Sequence, residues 1–66
     1  MRIQINGDPS EVPVDTTVAG LIETLGLAPE LVAVELNDGL VTRDERAKTR
    51  LADGDRVEIV TLVGGG

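Results

Sequence analysis

The stretch Asp53-Gly54-Asp55-Arg56-Val57-Glu58-Ile59-Val60, running on through Thr61-Leu62-Val63 to Gly64-Gly65-Gly66, decides the fold. Asp-Gly-Asp is turn chemistry, since glycine tolerates positive φ and an Asp side chain can bond nearby backbone. Val57 and Ile59 then alternate with Glu58 and Val60, the period-2 pattern of a half-buried strand. If Val57 and Ile59 face a helix, Glu58, Val60 and Leu62 face the opposite side of the sheet. Ala33, on a neighbouring run, can join them. Val60, Leu62, Val63 and Ala33 are therefore candidate docking residues beside the glycine tail.

At the other end of the chain, Met1, Ile3 and Ile5 alternate with Arg2, Gln4 and Asn6, which predicts a second strand. Asn6-Gly7 is a strong hairpin signal, because both central residues of a type I′ turn need positive φ. Val12 and Val14 alternate with Glu11, Pro13 and Asp15 and are expected to form the return strand. Pro13 cannot donate to a ladder, so that strand belongs at the sheet edge.

Between the ends, Val18, Leu21, Ile22 and Leu25 recur at i, i+3, i+4 and i+7, one apolar helix face. Thr17 is the expected N-cap and Gly26 the left-handed C′ residue, with Leu27 supplying the apolar contact after it. Gly20 weakens this helix, and close packing on the sheet is the expected reason. Leu31 to Leu36, with Val32, Val34 and Leu36 on one face, reads as a central strand. Asn37-Asp38-Gly39 turns the chain into a small edge strand at Leu40-Val41. Thr42 and Glu45 fit a capping box opening a brief helical turn through about Arg50.

This order predicts an α+β fold, a single domain over residues 1–66 ending in a flexible glycine tail at 64–66. One main helix lies across one face of a small mixed sheet. The first and last strands are expected as parallel neighbours at its centre, the middle of the chain being long enough for the crossover.

Composition bounds the chemistry. The 66 residues carry 12 acidic and 6 basic side chains, a net charge of −6, and no Cys, His or aromatic residue. That removes disulfides, Cys-based zinc sites and the commonest general base. It also removes the aromatic platforms on which bases stack, and the negative charge opposes a phosphate backbone, so nucleic acid is not an expected partner. No apolar run reaches the roughly 18 residues of a membrane span. The alternating start is unlike a signal sequence, so a natural start and a cytoplasmic location are expected. A carboxylate pair such as Asp53 and Asp55 could be proposed for metal binding or acid–base work, but the two read more simply as turn residues. The threonines have no partner base.

The tail is the informative segment. Three glycines form a thin strip that can thread a narrow channel and present a carboxylate with no side chain beside it. Such a carboxylate becomes reactive once a partner enzyme activates it, for example as an acyl adenylate.

At this point the sequence resembles the thiamine-biosynthesis sulfur carrier family (ThiS), small ubiquitin-like β-grasp proteins. The matching stretches are Ile3-Gln4-Ile5-Asn6-Gly7, Thr17-Val18 with Leu21-Ile22 and Leu25-Gly26-Leu27, Val32-Ala33-Val34-Glu35-Leu36-Asn37, Val41 with Arg43, Asp53 to Val60, and Val63-Gly64-Gly65-Gly66. The resemblance implies a β-grasp fold and a non-enzymatic role. An E1-like, ATP-dependent enzyme (ThiF) would adenylate Gly66, sulfur from a cysteine desulfurase would convert it to a thiocarboxylate, and thiazole synthase (ThiG) would receive that sulfur. It also implies that Gly65 is the second residue of the family's Gly-Gly end and that Gly64 is a third glycine found in some members. The chain would bind no cofactor or metal itself, ATP being used by the adenylating enzyme. Two departures stand out: Thr61-Leu62 replaces an aromatic common before the glycines, and Thr42 replaces a proline common before Arg43. A carrier for molybdopterin, cysteine or tRNA thiolation, a ubiquitin-like modifier joined to lysines through Gly66, and a plain interaction module are the competing readings. The acidic charge is expected to steer a carrier toward a basic entrance on its enzymes.

Overall fold

The computed structural model describes residues 1–62. Its element order is β1 (Arg2–Ile5), β2 (Asp8–Glu11), α1 (Val18–Thr24), a 3-10 turn (Pro29–Leu31), β3 (Val32–Leu36), β4 (Gly39–Val41), a second 3-10 turn (Arg43–Glu45) and β5 (Arg56–Thr61). The strands form one five-stranded sheet in the order β2-β1-β5-β3-β4. β1 runs parallel to β5 at the centre, and the other neighbours are antiparallel. A mixed sheet of this order with one helix packed on one face is the β-grasp arrangement, as expected.

Two hairpins fix the sheet's register. Asn6 and Gly7 both have positive φ, 51° and 86°, and join β1 to β2 with Ile5 opposite Asp8. Asn37 and Asp38 repeat the device at 50° and 72° and join β3 to β4 with Leu36 opposite Gly39. Two-residue turns with both centres at positive φ match the right-handed twist of the strands they connect.

The return strand differs from the expectation. It occupies Asp8–Glu11, so Val12 and Val14 lie beyond it, and Val14 is 73% exposed. The reason is the tight turn, which starts the pairing at Asp8 and uses up the partner strand by Glu11. Val12 and Met1 still exchange backbone hydrogen bonds of 2.9 and 2.8 Å. The strand is at the edge, as expected, but the proline inside it is Pro9, not Pro13. Pro9 faces Gln4 one step from the hydrogen-bonded pair at the turn, where a missing N–H leaves no ladder bond unmade.

The helix starts where the cap says. The Thr17 hydroxyl accepts from the Gly20 N–H at 3.0 Å. The Val18 and Ala19 N–H groups donate to the carbonyls of Thr49 and Arg46, at 2.9 and 3.1 Å. The first turn therefore leaves none of these three donors unpaired. Gly20 owes nothing to the sheet: a Cβ there would meet only the Thr17 hydroxyl, at 3.3 Å, and would crowd the cap bond. Gly26 takes the left-handed position at φ 71°, and Leu27 turns back against the core. Leu25 ends the helix at 43% exposure rather than completing its buried face.

The core joins the inner face of the sheet (Ile3, Val32, Val34, Val41, Val57, Ile59) to Val18, Leu21 and Ile22 of α1 and to Leu51. The turn opened by Thr42 is shorter than expected. Its capping box is present, but the 3-10 turn ends at Glu45, and residues 49–51 run extended against 16–18. That pairing buries Leu51 and ties the later segment to the start of the helix.

Candidate functional site

The face of the sheet away from α1 is built by the alternate residues of the strands that make the core. In the β3–β5 register, Ala33 lies opposite Val60 and Glu35 opposite Glu58. On the far side of β3, Leu40 lies opposite Glu35. Val60 is 58% exposed and Leu62 49%, while Ala33 is half-buried. The Leu62 N–H donates to the Leu31 carbonyl at 2.6 Å, so the last residue of the 3-10 turn before β3 holds the chain one residue past the end of β5. Three expected docking residues, Ala33, Val60 and Leu62, thus share one region. Val63 and the tail glycines Gly64, Gly65 and Gly66 lie outside the described residues.

Sequence reasoning missed Leu40 and the carboxylate pair. The sequence places Leu40 only in a short edge strand, whereas the register sets it opposite Glu35, where it extends the exposed apolar surface. The signal for Glu35 and Glu58 was the alternation itself, but their direct opposition depends on the β3–β5 register, which no local pattern in either segment states.

A frame of polar bonds holds β5 in place. Asn6 leaves β1 yet keeps pairing with β5: its Nδ2 donates to the Ile59 carbonyl at 3.1 Å, and its Oδ1 accepts from the Ile59 N–H at 2.7 Å. Asn37 grips the other end of the strand, where its Oδ1 accepts from the Arg56 N–H at 2.9 Å. One asparagine from each hairpin turn thus bonds the strand that leads to the tail.

Arg46 is the one buried charged residue among the described residues, at 5% exposure. Its guanidinium donates to the carbonyls of Pro29 and Val32 at 2.8 and 2.7 Å, while its Nε has no partner among the described residues. It fastens the entrance to β3 to the segment after the capping box, beside a recess of about 200 Å³ lined also by Ala19, Ile22 and Arg43.

The acids do not gather into a reactive group. The Asp53 Oδ1 accepts the Arg2 N–H at 2.8 Å, and the Asp55 Oδ2 accepts the Ala52 N–H at 2.7 Å. The Asp55 Oδ1 also accepts from Asn37 Nδ2 at 3.0 Å. Both are turn residues, as the simpler reading has it. Among the described residues, no three His, Cys, Asp or Glu side chains lie close enough to hold a metal ion. None of their helices is long and apolar enough to cross a membrane.

Fold and site together define a small ubiquitin-like β-grasp domain with one face of its sheet open for contact. The ThiS family model matches residues 3–66, and the chain belongs to the ThiS family. It is 34% identical to the sulfur carrier protein ThiS of Bacillus subtilis (strain 168), over 97% of this chain and 98% of that one. The crystal structure of the thiamine biosynthesis protein ThiS from Geobacter metallireducens superposes with a TM-score of 0.86 at 38% identity, covering 100% of both chains. A thiazole synthase of Magnetococcus marinus is 42% identical over the whole of this chain, which spans 20% of that protein's length.

Proposed function

We propose that the chain carries sulfur as a thiocarboxylate on Gly66 and delivers it to a thiazole synthase. The observation that carries this reading is the end-to-end alignment with a protein named as a sulfur carrier, at 34% identity. In the first step an oxygen of the Gly66 carboxylate attacks the α-phosphorus of ATP on an E1-like, ThiF-type enzyme, and pyrophosphate leaves. A persulfide charged by a cysteine desulfurase then attacks the acyl carbon and AMP leaves, and a second thiol attacks the distal sulfur of the acyl disulfide, releasing the Gly66 thiocarboxylate and a disulfide; free sulfide gives the thiocarboxylate directly. The resulting thiocarboxylate surrenders its sulfur to the ring-forming enzyme.

The chain's own part in this is physical. Gly64 and Gly65 have no side chains to obstruct a narrow channel. β5, bonded on both sides to β1 and β3, sets the direction in which the chain approaches the tail. Val60, Leu62 and Ala33 form the docking surface, to which the sequence pattern adds Val63. The ATP belongs to the enzyme's site, so the carrier needs no cofactor, and all partners meet in the cytoplasm. The thiazole synthase that contains a stretch matching this whole chain supports the choice of acceptor.

Intact-mass measurement tests the reading. Incubation with the adenylating enzyme, ATP and sulfide should add the mass difference between sulfur and oxygen at Gly66. Deleting Gly65 and Gly66 should abolish the gain. A truncated chain that still transferred sulfur would refute the proposal, and larger conjugates in place of the small gain would mark a modifier.

A further inference from the structure

Where α1, the first 3-10 turn and the segment after the capping box meet, they leave a recess of about 200 Å³. Ala19, Ile22, Pro29 and Ala47 make its apolar lining, and Arg43 and Arg46 make its charged lining. Among the described residues no acidic side chain lines it. Arg46 is 5% exposed, and its guanidinium meets only two neutral carbonyls, its Nε nothing, among the described residues. A guanidinium buried in this way has lost its water and gained no opposite charge. Arg43 is exposed, and it takes no part in the ion pairs of the described residues, which use Arg2, Arg50, Arg56 and the N-terminus. Two cations thus share one small apolar recess without a counter-ion among the described residues.

The surrounding segment is also set apart by charge. Arg43 to Arg50 holds four of the six basic side chains and only two of the 12 acidic ones, so it is net positive in a chain of net charge −6. One of those two acids, Glu45, is bonded to the Thr42 N–H. Lys48 is exposed and in no ion pair among the described residues.

We infer that an acidic segment of a partner protein docks along residues 43–50 and places one Glu or Asp side chain in the recess, its carboxylate beside Arg43 and Arg46. Arg43 forks the carboxylate with its N–H groups, a bidentate pairing that suits guanidinium geometry. Arg46, whose terminal nitrogens are already bonded to carbonyls, supplies charge from a fixed position. The apolar lining takes the methylene stem of the acid and thins the water around the ions, which strengthens their attraction. The rest of the chain is strongly acidic and repels the same segment, so this strip fixes the orientation of docking. Charge complementarity selects a protein segment over a single small anion, because the cations continue beyond the recess to Lys48. A nucleic-acid strand finds no aromatic residue to stack on. The inference is independent of sulfur carriage and of the open face of the sheet.

The test titrates the full isotope-labelled chain and reads NMR chemical shifts. Hexaglutamate is the acidic probe, hexaglutamine its neutral counterpart, and propionate a free acid at matched carboxylate concentration. Hexaglutamate should give saturable shifts at the Ala19 and Ala47 amides and at the Arg43 Nε–H, weaker at high salt; hexaglutamine should give none. Arg43→Gln should weaken binding about tenfold. Arg2→Gln, which removes a cation of β1, should bind as wild type. Both arginines are exposed, so both variants should fold. The inference is overturned if the hexaglutamate shifts do not saturate, if Arg43→Gln binds as wild type, or if Arg2→Gln weakens binding equally. Propionate binding as tightly as hexaglutamate would overturn it in favour of a free small acid. Self-association of the chain alone, relieved by Arg43→Gln, would overturn it in favour of a second copy.

Discussion

β3 and β5 send alternate side chains to opposite faces of one sheet, and the two faces differ in kind. Towards α1 they place Val32, Val34, Val57 and Ile59, all buried. Away from it they place Ala33, Glu35, Glu58 and Val60, with two carboxylates opposed and Val60 largely exposed. A one-residue shift in register would exchange the two sets. The inner set therefore fixes where the outer set stands, although the outer set contributes little to holding the fold. In so small a protein this division lets one strand fill the core with one face and leave the other to solvent.

Substitutions on the inner side should have the largest effects. Leu21 is 1% exposed and lies beneath the sheet. Leu21→Ala should cost about 2–5 kcal/mol, read from urea unfolding, through lost burial and the cavity left behind. A domain of this size holds roughly 3–10 kcal/mol in all, at 0.05–0.15 kcal/mol per residue, so much of the variant should be unfolded near physiological temperature. A cost under 1 kcal/mol would break the contrast between the faces.

Arg46 probes the inner side in a second way, because it is buried by its polar bonds. Arg46→Met keeps most of the side-chain length but removes both donors, leaving the Pro29 and Val32 carbonyls without them. The expected loss is about 1–3 kcal/mol. A neutral result would show that water replaces the guanidinium at those carbonyls.

The contrast also explains what could be read from the sequence. Local signals were reliable where the chain contacts itself nearby: the two asparagine turns, the Thr17 cap, the Thr42–Glu45 box and the alternation of β5. They failed where a distant segment decides. Val12 and Val14 alternate like a strand, yet the hairpin ends at Glu11 because the turn sets the register. No local pattern marks Leu51, which is core because residues 49–51 pair with the entrance to the helix. No local pattern marks Arg46; only the approach of Pro29 and Val32 gives it partners. On the open face, Val60, Leu62 and Ala33 were legible as a patch, whereas the opposition of Glu35 and Glu58 required the pairing of two strands far apart in sequence.

Asn6 lies where the frame meets the tail-bearing strand. Its side chain makes two hydrogen bonds to the Ile59 backbone, and its own φ is 51°. Asn6→Ala loses both bonds and puts a less tolerant residue at positive φ, for an expected cost of about 1–3 kcal/mol. Asn6→Gly separates the two causes, since glycine accepts the turn and loses only the bonds. Amide hydrogen exchange at Ile59 should speed up in both variants, and unchanged protection there would remove Asn6 from the frame.

The smallest stability effect belongs to the outer side, and it sharpens the contrast most. Val60 stands 58% exposed opposite Ala33. Val60→Ser removes apolar surface that the folded chain leaves in water, so the unfolding free energy should change by no more than about 0.5 kcal/mol. If the face serves only the chain itself, nothing else should change. If it serves a partner, the same variant should lower the rate of thiocarboxylate formation or sulfur delivery at subsaturating carrier while leaving the saturated rate nearly unchanged, since docking is weakened and the reacting end is intact. A large loss of stability would place Val60 in the core's account and undo the division between the faces. A stable variant with wild-type dependence on carrier concentration would leave the exposed valine without a role in recognition.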